Sequence, residues 1–182
     1  MPTILSHAAV PLAIGLGLGR RRLPAALVAA GAAAAMLPDL DVIGFRFGIT
    51  YGDAFGHRGA SHALAAAALL ALAAAWPFRS AAVPFGRAFL FLFAAAASHG
   101  LTDMLTNGGL GVALLWPLSE ARLFAPWRPI QVSPLGLGRF LSEEGLAVIA
   151  SEALWLWCPL ALLAVALRRL LPGPKVTLDK HP

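Results

Sequence analysis

Apolar residues fill five blocks of the chain, at about 3–19, 23–38, 60–77, 84–106 and 145–171. A membrane-crossing helix needs roughly 20 such residues, so each block reads as a candidate span. The first is diluted by His7 and several glycines, the second is short, and the last is the longest. Two long connections, 39–59 and 107–143, are rich in Gly, Pro and aromatic residues. Within the second, 108–118 reads at most as a short re-entrant piece, because its glycines and proline argue against a full span.

Composition supports a membrane class. Hydrophobic residues make up 59% of the 182 and charged residues 13%, against about a quarter charged in a soluble domain. The formal charge of +5 therefore marks topology rather than nucleic-acid binding. Arg20, Arg21, Arg22, Arg79, Arg87, Arg168, Arg169, Lys175 and Lys180 fall on one side of a five-span arrangement. Arg46, Arg58, Arg122, Arg128 and Arg139 fall on the other, in longer loops. The positive-inside rule places the N-terminus outside and the C-terminus in the cytoplasm. No Lys or Arg precedes Arg20, so a cleaved signal peptide is not expected and residues 1–19 are kept as mature chain. The lone Cys158 allows no internal disulfide and reads as a small apolar side chain.

The same topology gathers the ionisable groups. His7 lies near the outer end of the first span, Asp39 and Asp41 where the second exits, and His57, Arg58 and His62 where the third re-enters. His99 and Asp103 lie at the outer end of the fourth. Four of five histidines and three of five aspartates thus meet at one face. Ionisable groups at membrane depth usually face a bundle interior or cavity and mark function. His99 and Asp103, four apart on a helix, share one face. His57 is expected on the loop and His62 on the first helical turn. Asp39 and Asp41 are expected on an extended segment, pointing the same way. Imidazole with carboxylate is a ligand set for zinc or another transition metal. Arg58 offers a fork for a phosphate or carboxylate oxygen.

Taken singly, each group has a plainer reading: an interfacial histidine as a cap or snorkelling side chain, Asp39 and Asp41 as a helix stop, Arg58 as a headgroup anchor. Their convergence favours the metal site. His181 reads as a solvated tail residue. The alanine runs 29–35, 65–75 and 94–97 read as close-packing helix surfaces, and Glu143 and Glu144 as the start of the last helix. Glu152, inside the last span, is either near the site or paired with an arginine.

The segments SHAAVPLAIG, LPDLDVIG, GHRGASHALA, SHGLTDMLTNGG and LLWPLSEARL, in this order, resemble the YdjM-type family of inner-membrane proteins, described as LexA-regulated metal-dependent hydrolases. The resemblance covers residues 5–125. It is carried by the His-Arg-Gly-x-Ser/Thr-His block at 57–62, with Ser61 where Thr is commoner, by Ser-His-x-x-x-Asp at 98–103, and by Trp-Pro at 116–117. More remotely the family is similar to zinc-dependent phospholipases C and single-strand nucleases, which bind three zincs through His and Asp. That resemblance implies His7, Asp39, Asp41, His57, His62, His99 and Asp103 as metal ligands. A His-x-x-x-Glu of those enzymes is missing, so one or two ions are expected, Zn2+ or another divalent metal such as Mn2+.

The expectation is an all-α integral membrane protein of about five transmembrane helices in one bundle, residues 1–171, with a cytoplasmic polar tail at 172–182. Its polar metal site would face the periplasm from the bacterial inner membrane. The expected activity is metal-dependent hydrolysis of a phosphoester in a phospholipid or lipid-linked phosphate, with no nucleic-acid partner. Asp39 or Asp41 would orient or deprotonate the attacking water, and Arg58 would hold the phosphate. Alternatives are an amide or ester hydrolase acting on lipids, and a metal-binding protein without catalysis.

Overall fold

The structure, a computed structural model, describes residues 1–80, 83–134 and 140–171. The tail at 172–182, with Lys175, Lys180 and His181, and Arg139 in the connection before the last helix lie outside these residues. Five helices make up the bundle: α1 (Ile4–Leu18), α2 (Ala25–Phe47), α3 (Leu64–Phe78), α4 (Phe85–Met104) and α5 (Glu143–Leu170). Among the described residues the non-helical parts form turns, bends and two isolated bridges, Thr106 with Ile130 and Val112 with Leu123, but no strand. The 108–118 piece is such a connection and not a helix.

Each helix packs on a neighbour in one running order. α5 lies against α1, α1 against α2, α2 against α4, and α4 against α3. Of the apolar windows in these two helices, 56% is buried for α4 and 17% for α5. α4 is therefore the centre of the bundle, and α5 shows most of its surface to lipid. The alanine runs do what their size allows. Ala34, Ala67, Ala71, Ala75, Ala88 and Ala96 are buried together, letting backbones approach as small residues do in membrane bundles.

α2 departs from expectation in a way that shapes the site. The second apolar block ends at Pro38, with Asp39 and Asp41 readable as a stop, yet the helix continues, changing at Leu37 from α to a 3₁₀ segment that runs to Phe47. A proline is tolerated in the first turn of the new segment because its φ is already helical, at the loss of one N–H donor to the turn before it. Asp39 and Asp41 are thus on a 3₁₀ helix, not an extended strand. Three residues per turn send two side chains spaced by two in different directions.

α5 starts where Ser142 caps it, its side chain accepting from the Glu144 N–H. It passes through a π-helical turn at Ala153–Trp157 just after the fully buried Glu152. Among the described residues Glu152 bonds to the start of α1 and not to an arginine. It accepts from the Thr3 hydroxyl at 2.8 Å, the Thr3 N–H and the Ser6 hydroxyl. Trp157 Nε1 donates to Ser6 Oγ at 2.8 Å. These bonds tie the start of α1 to the middle of α5, one residue before His7.

Candidate metal centre

The residues expected at one face do meet. Asp39 comes from the 3₁₀ part of α2, His57 and Arg58 from the loop before α3, and His62 from a 3₁₀ turn at Ala60–His62. His99 and Asp103 come from the end of α4 and His7 from the start of α1. His7, Asp39, His57, His62, His99 and Asp103 are all buried. Gly100 permits the key approach: a Cβ there would stand 2.7 Å from the His62 carbonyl oxygen. Gly56 and Gly59 act in the same way, since a Cβ on either would press on a loop carbonyl.

Three histidines turn Nε2 to a common centre because their Nδ1 atoms are already engaged. His99 Nδ1 donates to the Ala35 carbonyl at 2.7 Å. The Thr102 hydroxyl donates to the His99 carbonyl at 2.9 Å, so at 3.0 Å from His7 Nδ1 it acts as an acceptor. Ser61 Oγ donates to Asp41 Oδ2 at 2.6 Å and, 2.9 Å from His62 Nδ1, accepts there. Such partners fix the tautomer and leave the Nε2 lone pair facing inward, as at most metal-bound histidines.

Around that centre the donor atoms are mutually close. His62 Nε2 and His99 Nε2 are 2.9 Å apart. Asp39 Oδ1 lies 3.4 Å from His99 Nε2 and 3.8 Å from His62 Nε2. His7 Nε2 lies 3.7 Å from both Asp39 Oδ2 and Asp103 Oδ1. Asp103 Oδ2 is 3.5 Å from His62 Nε2. Ligands about 2.0–2.1 Å from a tetrahedral zinc stand about 3.3 Å from each other, so these spacings suit one ion. His7 Nε2 and all four oxygens of Asp39 and Asp103 are buried without a hydrogen-bond partner. Buried carboxylates are costly without compensation, and a divalent cation fits this donor set. Two triads with no shared member, His7–His99–Asp103 and Asp39–His57–His62, each have donor atoms within 4.8 Å of one another, leaving room for one or two ions.

Asp41 and Arg58 are placed differently from expectation. Asp41 lies outside the cluster, 2.6 Å from His57 Nδ1 and 3.2 Å from His62 Nδ1. It orients histidines instead of joining the converging oxygens, a consequence of the 3₁₀ geometry. Arg58 does not present an open fork. It is fully buried, with Nη1 donating to the Gly108 carbonyl and Nη2 to Thr106 Oγ1, both at 2.9 Å. Nε lies 3.0 Å from Asp103 Oδ2, out of line for a hydrogen bond, so that contact is ionic. Arg58 is also the one non-glycine residue with positive φ, 63°, among those described. A bulky side chain held in this region signals a backbone constrained from outside.

Composition gave no warning of several supporting groups. Thr102 and Thr106 follow His99 and Asp103 by three positions, a helical spacing that could have marked them. The Ala35 carbonyl carries no such signal. Arg122, whose Nη1 donates to the His57 carbonyl and Nη2 to the Asp53 carbonyl, both at 2.8 Å, fastens the histidine loop. A cavity of about 210 Å3 lined by Met1, Tyr51, His57, Gly109, Val132 and Ser133 adjoins the cluster at His57.

Residues 1–172 match the family model described as YdjM inner membrane protein. The chain is 48% identical over 168 residues to the inner membrane protein YbcI of Escherichia coli (strain K12), covering 90% of this chain and 95% of that one. No solved structure matches. With three helices long and apolar enough to cross a membrane, the chain belongs to the YdjM family of inner membrane proteins.

Proposed function

We propose that this protein is a membrane-bound metal-dependent hydrolase acting on a phosphoester of a phospholipid or lipid-linked phosphate, with its site on the periplasmic side. The observation that carries the reading is the set of three inward Nε2 lone pairs around two buried carboxylates that have no hydrogen-bond donor. The chemistry that a divalent ion would supply there is acidification of water and withdrawal of charge from a phosphoryl oxygen.

The chain's own groups have distinct tasks in this reading. His7, His62, His99, Asp39 and Asp103 hold the ion. Asp39, with two oxygens at the centre, orients the attacking water. Arg58 pairs with Asp103 and aims it instead of gripping substrate. His57 lines the cavity and is held by Asp41, so it is placed to move a proton to the leaving oxygen. The depth of the site in a chain this apolar favours a substrate that arrives through the lipid.

The complete burial of His7, His99 and Asp103 favours a second reading, a metal-binding protein without catalysis. Metal analysis of the purified protein separates the cases. One bound divalent ion, lost in His99→Ala and Asp103→Asn, supports a metal centre. Release of phosphate or diacylglycerol from labelled phospholipid then supports the phosphoesterase, and release of fatty acid points instead to an acyl hydrolase. A metal-loaded protein that cleaves neither bond leaves the binding role, and a metal-free one overturns both.

A further inference from the structure

The end of the bundle away from the cluster carries a cleft that the metal site does not use. It lies between the last turn of α1, the turn into α2 and the first half of α4, and encloses about 670 Å3. Ligand sites commonly span about 300–1,000 Å3. Its walls are Ile14, Leu18, Leu23, Leu90 and Phe91, and its two charged residues are Arg22 and Arg87. Arg87 and His99 are twelve positions apart on α4, so the cleft and the cluster are separated by about 18 Å along the helix.

Two features identify the occupant. The first is the contrast within the cleft, an apolar wall closed by two guanidinium groups from different helices. A hydrophilic anion gains nothing from that wall, and a neutral hydrocarbon gains nothing from the arginines. The second is direction. Leu90 is 64% exposed and Ala94 is exposed beside it, so the cleft opens sideways toward the acyl region. Arg22 Nη1 donates to the Leu171 carbonyl at 2.6 Å, which steadies the guanidinium at the rim. Basic pockets between membrane helices recognise anionic headgroups.

We propose that this cleft binds an anionic phospholipid of the surrounding bilayer, with its phosphate between Arg22 and Arg87 and one acyl chain against Ile14, Leu90 and Phe91. The proposal is independent of the metal centre.

The test uses full-length protein, delipidated in detergent and supplied with phosphatidylglycerol or phosphatidylcholine of identical chains. Native mass spectrometry counts the lipid retained. The expected result is a preference of about tenfold for phosphatidylglycerol, a size fitting two basic side chains near an anionic group. The double substitution Arg22→Gln with Arg87→Gln should remove the preference. Ala94→Phe, which fills the cleft, should lower retention of both lipids. Excess glycerol phosphate should displace neither. Equal retention of the two lipids by the unsubstituted protein overturns the proposal without recourse to any variant. Displacement by glycerol phosphate also overturns it, because the site would then recognise a soluble anion.

Discussion

Asp39 and Asp41 differ by two positions and by role. Asp39 turns both oxygens to the centre without a hydrogen bond, while Asp41 is bound by Ser61 and His57. Their substitution should separate accordingly. Asp39→Asn is expected to abolish stoichiometric metal, whereas Asp41→Asn or Ser61→Ala should weaken affinity about 10–100-fold, as loss of an orienting partner does. Competition against a calibrated chelator checks both, and equal losses from Asp39→Asn and Asp41→Asn would refute the division. The identities of the clustered residues were legible in the chain, because each is a His or Asp at an expected span end. The division of roles was not, since an extended segment and a 3₁₀ helix share the same Pro-led sequence and aim alternate residues differently. The placement of Arg58 was not legible either. Nothing in GHRGASH announces a positive φ that turns the guanidinium inward. Arg58→Lys keeps the charge but not the three separate contacts, and is expected to lower metal retention while the protein still inserts in the membrane.

Helices hold these side chains in register, and the contacts between elements are as specific as the ligands. Gly100 lets the 3₁₀ turn carrying His62 lie directly on α4. With a Cβ 2.7 Å from a backbone oxygen, Gly100→Ala must push that turn away. The expected outcome is a folded protein that has lost most of its metal, seen as a fall in metal stoichiometry with little change in helical circular dichroism. Glu152 works across a longer range, tying α1 to α5 through Thr3 and Ser6. Glu152→Ala leaves buried donors unmet at about 1–3 kcal/mol, so thermal unfolding should occur at lower temperature. The neighbouring His7 should also hold metal less firmly. Apolar block length located four helices to within about four residues, but ended α2 at 38 where it runs on to Phe47. It did not reveal the Glu152 tie, because the partners are about 150 positions apart and neither end carries a pattern.

At the scale of the whole molecule, the asymmetry of nine basic residues against five sets the expected sidedness. A reporter active only in the periplasm, fused after residue 50, should be active, and a silent fusion would place the site on the cytoplasmic side. The bundle also has unequal helices. α1 and α3 each have fewer than 18 residues, so neither exceeds about 27 Å at 1.5 Å per residue, against a hydrocarbon core of about 30 Å. His7 begins one of these short helices and His62 directly precedes the other. The protein is therefore a local dent in its own bilayer: lipid must thin, or headgroups and water must sink, to meet the two short walls. On the proposed phosphoesterase reading, a phosphate drawn down this slope would reach the cluster without leaving its leaflet. Activity in vesicles should then rise as acyl chains shorten from 18 to 14 carbons and the slope becomes easier to form.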